Sequence, residues 1–454
     1  MGSEDHQFSD DYLILKPEEA TLLDLFLFIL PFGFRKIRKL VDCPAAKENS
    51  YRSIQSRLII FVSILFQKLV LAISNLAKKF KLMRGKLWAV SYKPYAPKVN
   101  CRDWKIGGEK NVKLPEDNFK YYSALTVMAS QLAYTDYSPQ PNIVQTVVEG
   151  CWKMNLINTY KFRNGFIEKA RTCAFMFQTT STDPNVIILA FKGTSQCCDC
   201  AVDVNFSWCS IPGVGRIHMG FMQALGLQEA FHWPDELPKP NSDFAYYTLR
   251  QQLRDIAKSN DNARFIFTGH SLGGALAVLF VTILAYHNES DVLEKLQAVY
   301  TFGQPRVGDP KFAQFMENTT KKYDFKYYRY VYSFDLVSRI PFNCGDFFCS
   351  YKHFGGCVYF DCCYNGKFLE EQPNNNYYWP IYLIPQFLAA LWEFIRSLMI
   401  PLVKCSWDYF EGFGNLKNRV LGLFIPATSA HMLLNYINST RYGKIQPSKD
   451  IKKA

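Results

Sequence analysis

Residues 265 to 280, FIFTGHSLGGALAVLF, join an apolar strand-like run to a long Ala/Leu/Val run through a single glycine-bounded serine. A strand that becomes a helix within so few residues belongs to a sheet covered by helices, and the residue at the junction sits on a sharp backbone bend. G-x-S-x-G alone is a weak signal, since ordinary Gly and Ser frequencies produce it by accident in about one chain in ten of this length. Its context is more demanding. RFIFT (264–268) reads as a short apolar strand, and LGGALAVLFVTILAYH after Ser271 as a helix with small residues in its first turn. The glycines allow strand and helix to approach closely, and the helix start offers N–H groups and a positive dipole end to any charge developing beside the serine. Ser271 is therefore read as a nucleophile and not as a turn serine.

Seven histidines limit the choice of base. His6 lies in the acidic start, and His287 stands about 24 Å down the helix that follows Ser271. His270 adjoins the nucleophile, which suits it to supporting the turn, and His232 lies in a Trp/Pro-rich loop. The order serine, acid, base removes His218. His353 in YKHFGGCVYF and His431 in ATSAHMLLNY remain. The acid should close a strand beyond the serine. YYRYVYS (327–333) runs into Asp335, which is preferred to Asp309 because a Pro-flanked turn accounts for GQPRVGDP.

Five segments in order, FKGTS (191–195), IHMGF (217–221), TGHSLGGALA around Ser271, FGQPRVGD (302–309) and SFDLVSRIPF (333–342), resemble the class 3 lipases, an α/β-hydrolase family. The resemblance covers roughly residues 120 to 445. KHFGGCVYFDCCYNGK and AHMLLNYINSTRYG are similar to the plant oil-body-associated triacylglycerol lipases of that family. It implies an α/β-hydrolase fold with a mostly parallel central sheet. Ser271 would be the nucleophile, Asp335 the acid and His431 the base, with His353 structural. Thr194 and the N–H of Leu272 would form the oxyanion hole, and residues 195–211 a lid. The activity implied is hydrolysis of long-chain acylglycerols at a lipid surface through an acyl-enzyme, with no cofactor and no metal. A phospholipase A1 or galactolipase would use the same residues, and a non-catalytic lipase-like interaction module is the non-enzymatic alternative. Three positions depart from the family pattern: Cys200 where the lid often has tryptophan, Ser338 where proline commonly follows D-[IL]-V, and Lys192 for arginine.

The first hundred residues differ from the rest. LFLFIL (25–30) stops at Pro31, and LIIFVSILFQKLVLAISNLA (58–77) just reaches the length of a bilayer span but carries Gln67 and Lys68 at its centre. Ser63, Gln67, Ser74 and Lys78 recur at helical spacing, so the stretch is expected to lie in an interface with its lysines on the headgroups, a buried helix of the globular domain being the alternative. SYKPYAP (91–97) reads as a linker. The chain is thus divided into an N-terminal lipid-associating helical region, 1–100, and a hydrolase domain, 101–454, with an insertion at about 365–425. Pro385 and Pro401 are expected to bound a helix of the insertion too short to cross a bilayer. Glu393 and Arg396 are expected to pair across one turn. Trp379, Trp392 and Trp407 suit a membrane interface. The expectation is an apolar cap that touches lipid, with a core or dimer contact as the other use of such a helix.

A net charge of +12 suits an anionic lipid surface, and without a recognisable nucleic-acid module nucleic acid is not expected as a partner. The start MGSEDHQFSDDYLILKPEEA lacks the layout of a signal peptide, so the chain is expected on an oil body or intracellular membrane, not secreted, with its fourteen cysteines reduced. Neither the group 197–200 nor that at 344–363 gives two clean C-x-x-C pairs, which argues against zinc.

Overall fold

The computed structural model describes residues 11–30, 37–65, 67–69, 72, 101, 104, 106, 119–135, 143–164, 167–180, 185–193, 207–227, 244–341, 350–371, 373, 377, 380–403, 413–424 and 426–445. Two short strands, β1 (Tyr12–Leu15) and β2 (Val41–Asp42), precede the main sheet in sequence. The strands that follow are β3 (Asn155–Asn164), β4 (Ile167–Gln178), β5 (Val186–Phe191), β6 (Trp208–Ile211), β7 (Gly215–His218), β8 (Arg264–His270) and β9 (Leu296–Phe302). The last are β10 (Lys326–Tyr332), β11 (Cys357–Phe360), β12 (Asn365–Leu369) and β13 (Lys444–Ile445).

Nine of these strands form one sheet in the order β13-β12-β11-β10-β9-β8-β5-β4-β3. Its centre, β5-β8-β9-β10-β11, is parallel throughout, and β4 and β12 flank it antiparallel. A parallel strand is buried on both faces, which is why β5 (VIILAF) has no polar residue and no exposed position. Helices α1 (Leu22–Ile29), α2 (Phe119–Leu132), α3 (Ala245–Ser259), α4 (Leu272–Tyr286) and α5 (Pro310–Tyr323) are followed by α6 (Leu383–Val403), α7 (Phe413–Phe424), α8 (Pro426–Ala430) and α9 (Leu433–Tyr442). One apolar core packs α3, α4 and α5 on the sheet, and a second packs α2 and α9 on it. Asp309 caps α5: its carboxylate accepts from the Phe312 N–H at 2.8 Å, with Pro310 at the first helical position.

The N-terminal region is not all helical, in contrast to the sequence expectation. β1 pairs antiparallel with β6, so a small sheet β2-β1-β6-β7 joins residues 12–42 to β6 and β7. Helix α1 begins with a capping box between Thr21 and Asp24. Residues 54–65 and 67–69 are helical, and here the structure reverses the expected orientation. Ser56, Arg57, Ser63 and Gln67 are buried, while Leu58, Val62, Leu65 and Leu69 face outwards. The Arg57 guanidinium donates to the Phe28 carbonyl at 2.8 Å, so the polar stripe serves the protein interior. Ser74 and Lys78 of that stripe, and the linker 91–97, lie outside the described residues.

The insertion also differs from expectation. Helix α6 is 21 residues long and runs through both Pro385, whose place in the first turn removes no intrahelical bond, and Pro401, which lies in the last turn. Glu393 does not take Arg396 as its ion-pair partner. It pairs with Arg419 of α7 at 2.9 Å, while Arg396 donates to the Tyr332 hydroxyl at 3.2 Å and lies over the Tyr364 ring. Among the described residues no helix is long and apolar enough to cross a membrane. Trp379 and Trp407 lie outside them. Cys101 and Cys151 form a disulfide, which corrects the expectation of a fully reduced chain; a pair 50 residues apart leaves no local spacing signature.

Candidate active site

The candidate residues collect beyond the carboxyl ends of the parallel strands, where open α/β sheets bind ligands. Ser271 follows β8 directly, with φ 57° and ψ −130° as it caps α4. A non-glycine residue in that region costs on the order of 1–3 kcal/mol and persists only where its surroundings enforce it. Here they do. A Cβ on Gly269 would lie 2.2 Å from the backbone of Gly273, and one on Gly273 would lie 2.3 Å from the Phe191 carbonyl oxygen. The two glycines thus press the start of α4 onto β8 and β5, and the serine takes up the remaining rotation.

The structure brings Ser271, Asp335 and His431 together. His431 Nε2 is 2.9 Å from Ser271 Oγ, and His431 Nδ1 is 2.8 and 3.0 Å from the two Asp335 oxygens. With Nδ1–H donating to the carboxylate, Nε2 is left to accept the serine proton. Asp335 follows β10 and is wholly buried. Its Oδ1 accepts from the Val337 N–H at 2.8 Å and its Oδ2 from the Tyr436 hydroxyl of α9. Burial pushes the Asp335 carboxyl up. The charge and hydrogen bond of His431, the Tyr436 hydroxyl and His270 together outweigh it and hold the group below its ordinary value.

His270 supports the site as its position suggested. Its ring stacks on His431 with centroids 4.6 Å apart, and its Nε2–H donates to the His431 carbonyl at 3.1 Å. Nδ1 then accepts from the Tyr134 hydroxyl at 2.8 Å. Burial, with His431 beside it, lowers the His270 pKa to about 3, so the ring stays neutral. His353 stands apart from the three. Its Nε2–H donates to the Ser338 carbonyl at 2.8 Å, bracing the loop that carries Asp335. Ser338 donates its hydroxyl to the Asp335 carbonyl at 3.0 Å. His287 bonds Tyr246 at the far end of α4.

Leu272 is the first residue of α4, whose opening N–H groups have no helical acceptor. Thr194 and residues 195–206 lie outside the described residues, as do Cys197, Cys198, Cys200, Cys344 and Cys349. The end of the expected lid, 208–211, is strand β6 of the small sheet. Among the described residues no group of His, Cys, Asp or Glu is placed to hold a metal ion. Two contributors escaped the sequence reading. One is Tyr436, which no local pattern marks. The other is Gly303, at φ 58°, where a Cβ would lie 2.8 Å from Asp335 Oδ2 and 3.0 Å from His431. A glycine directly after β9, in FGQP, was its signal.

Residues 188–344 match the family model of lipase (class 3). The chain belongs to the class 3 lipase family, on an α/β-hydrolase fold. Triacylglycerol lipase OBL1 of Arabidopsis thaliana is 37% identical over 339 residues, 70% of this chain and 64% of that protein. Triacylglycerol lipase OBL1 of Nicotiana tabacum is 35% identical over 386 residues, 72% of this chain and 66% of that one. The chain therefore spans slightly less than two thirds of the length of these relatives. A solved structure of the Rhizomucor miehei triacylglyceride lipase aligns at 24% identity over 53% of this chain and 78% of its own, with a TM-score of 0.38.

Proposed function

We propose that this protein is a triacylglycerol lipase that cleaves long-chain acylglycerol esters at the surface of a lipid droplet or membrane. The observation that carries the reading is the hydrogen-bonded run from Ser271 Oγ through His431 to Asp335, on a serine whose backbone is held in a strained turn. His431 Nε2 takes the serine proton as Oγ attacks the ester carbonyl. The N–H of Leu272, with Thr194, holds the oxyanion. Collapse breaks the ester bond, and His431 returns the proton to the departing glyceride oxygen. Water then attacks the acyl-enzyme, losing its proton to His431, and the fatty acid leaves as Ser271 is reprotonated. Asp335 stays ionised throughout and stabilises the imidazolium.

The substrate class rests on two supports. The relatives are named triacylglycerol lipases. Three helical stretches of this chain turn apolar side chains outwards while burying their polar ones, the reverse of a surface meant for water. The test is a lipid panel of triolein emulsion, phosphatidylcholine and galactolipid, comparing the unmodified chain with Ser271→Ala. Release of oleate from triolein that disappears in the variant is expected. Turnover of the bilayer lipids alone would transfer the reading to a phospholipase or galactolipase, and absence of Ser271-dependent turnover on all three would refute a hydrolase.

A further inference from the structure

Helix α6 has its polarity inverted. From 381 to 399 every exposed residue is apolar, from Ile381 and Ile384 through Leu388, Leu391 and Ile395 to Met399. Gln386, Glu393 and Ser397 are buried. Helix α7 is less one-sided: Val420, Leu421 and Phe424 are outside together with Asn418, and Arg419 is wholly inside. The buried groups lead to the candidate base. Glu393 Oε2 accepts from Arg419 at 2.9 Å and from the Ser429 hydroxyl at 2.7 Å, two residues before His431. Asn435, four residues after it, donates to the Ser429 carbonyl at 2.7 Å. Gly422 of α7 lies so close to Ser429 that a Cβ there would stand 2.4 Å from the serine's own Cβ. The turn bearing His431 is thus built against the inner side of α6 and α7.

We propose that α6 and α7 form a two-faced module: the outer face seats in a lipid monolayer, and the inner face, through Glu393 and Arg419, positions the turn that carries His431. A lipid occupant fits better than a protein one. Protein interfaces carry about one hydrogen bond per 100–200 Å², yet the exposed side chains from 381 to 399 offer no polar group beyond the Trp392 indole N–H. The same inversion recurs on α1, where Leu22, Leu23 and Phe26 are outside and Asp24 is buried, and on 58–69. A fluid hydrocarbon surface covers all of these, and the net charge of +12 complements an anionic one. Inside, an unpaired charge in the protein is costly, so the Glu393–Arg419 pair fixes the relative placement of two helices and the base together. Glu393 and Arg419 are positioning residues.

The proposal rests on the lipase reading only for what the seated enzyme cleaves, and two sets of variants test it separately. Flotation with triolein droplets coated in phosphatidylcholine and phosphatidylserine measures seating. Hydrolysis of monomeric p-nitrophenyl butyrate measures the site. Leu388→Ser combined with Leu391→Ser and Ile395→Ser should weaken flotation at least tenfold and lower the ratio of triolein to butyrate turnover by a similar factor. Glu393→Gln should float normally and lose at least tenfold in kcat on the butyrate ester with KM unchanged. Ser429→Ala, which deletes one hydroxyl, should do the same more mildly and keeps the test open if Glu393→Gln does not fold. Normal flotation of the outer-face variant overturns the proposal, and so does normal flotation with loss of a dimer in light scattering, which would give the face to a second copy. Glu393→Gln and Ser429→Ala within twofold of the unmodified kcat also overturn it. Droplets that bind the unmodified chain while their triolein stays intact would refute the lipase reading and leave this one standing.

Discussion

His270 makes the site pH-sensitive in a way that unfolding can measure. Burial, reinforced by His431, lowers its pKa from 6.5 to about 3, with Asp335 opposing by less. The folded chain therefore keeps this imidazole neutral down to about pH 3, while the unfolded chain takes up a proton below about 6.5. Stability from this group is complete above pH 6.5 and is lost as pH falls towards 3. Each unit of difference corresponds to about 1.4 kcal/mol, so between about pH 7 and about pH 5 the loss comes to about 2 kcal/mol. His270→Phe keeps the ring stack but has no proton to gain. It also forfeits the bonds to Tyr134 and the His431 carbonyl, about 1 kcal/mol each, at every pH. Urea unfolding at fixed ionic strength should therefore find the variant less stable at about pH 7, with the gap closing by about 2 kcal/mol at about pH 5. Stability curves that stay parallel to within about 0.5 kcal/mol over that range would refute the buried neutral imidazole.

Asp335→Asn should lower kcat on a soluble ester by about four orders of magnitude with KM little changed, because an amide donor facing Nδ1 reverses the imidazole tautomer. Tyr436→Phe removes a hydroxyl that donates to the same carboxylate. Losing a bond to a charged group costs about 1.5–3 kcal/mol, so kcat should fall roughly 10- to 100-fold, read by steady-state kinetics. Gly303→Ala places a methyl against Asp335 and His431 and strains a backbone at φ 58°. Activity should fall at least tenfold while circular dichroism shows a folded chain. Gly273→Ala instead meets the backbone at Phe191, and soluble expression should be lost.

The turn at Ser271 was legible because its causes are local. Gly269 and Gly273, four residues apart, face each other across the strand-to-helix junction, and the serine between them has nowhere else to go. Asp335 was legible for a similar reason, at the end of an apolar strand that pairs in parallel on both sides. The base was not. His431 lies 160 residues from Ser271, and nothing near it distinguishes it from His353, which also lies beside the acid loop but bonds its backbone. Family resemblance separated the two where chemistry of the residues alone left both. Tyr436 was silent for the same reason: its value depends on β10 and α9 meeting in space.

The apolar helices show what a periodic pattern does and does not carry. Ser63 and Gln67 at helical spacing among leucines and isoleucines define two faces, yet the pattern has no sign. In a chain surrounded by water the wide apolar face turns inwards and the polar stripe outwards. In this structure Gln67 and Ser63 are inside and Leu58, Val62, Leu65 and Leu69 outside. The sign is set by what the inner neighbours need. Arg57 has carbonyls of α1 and its C-terminal cap to satisfy, as Glu393 has Arg419 and Ser429. A charge buried among these helices without its partners would be left uncompensated in the interior, which is costly. Replacing the buried members with leucine would make the inner face apolar without changing the outer one. The polar interior, not the apolar exterior, is thus the feature that commits these helices to facing outwards with their hydrocarbon.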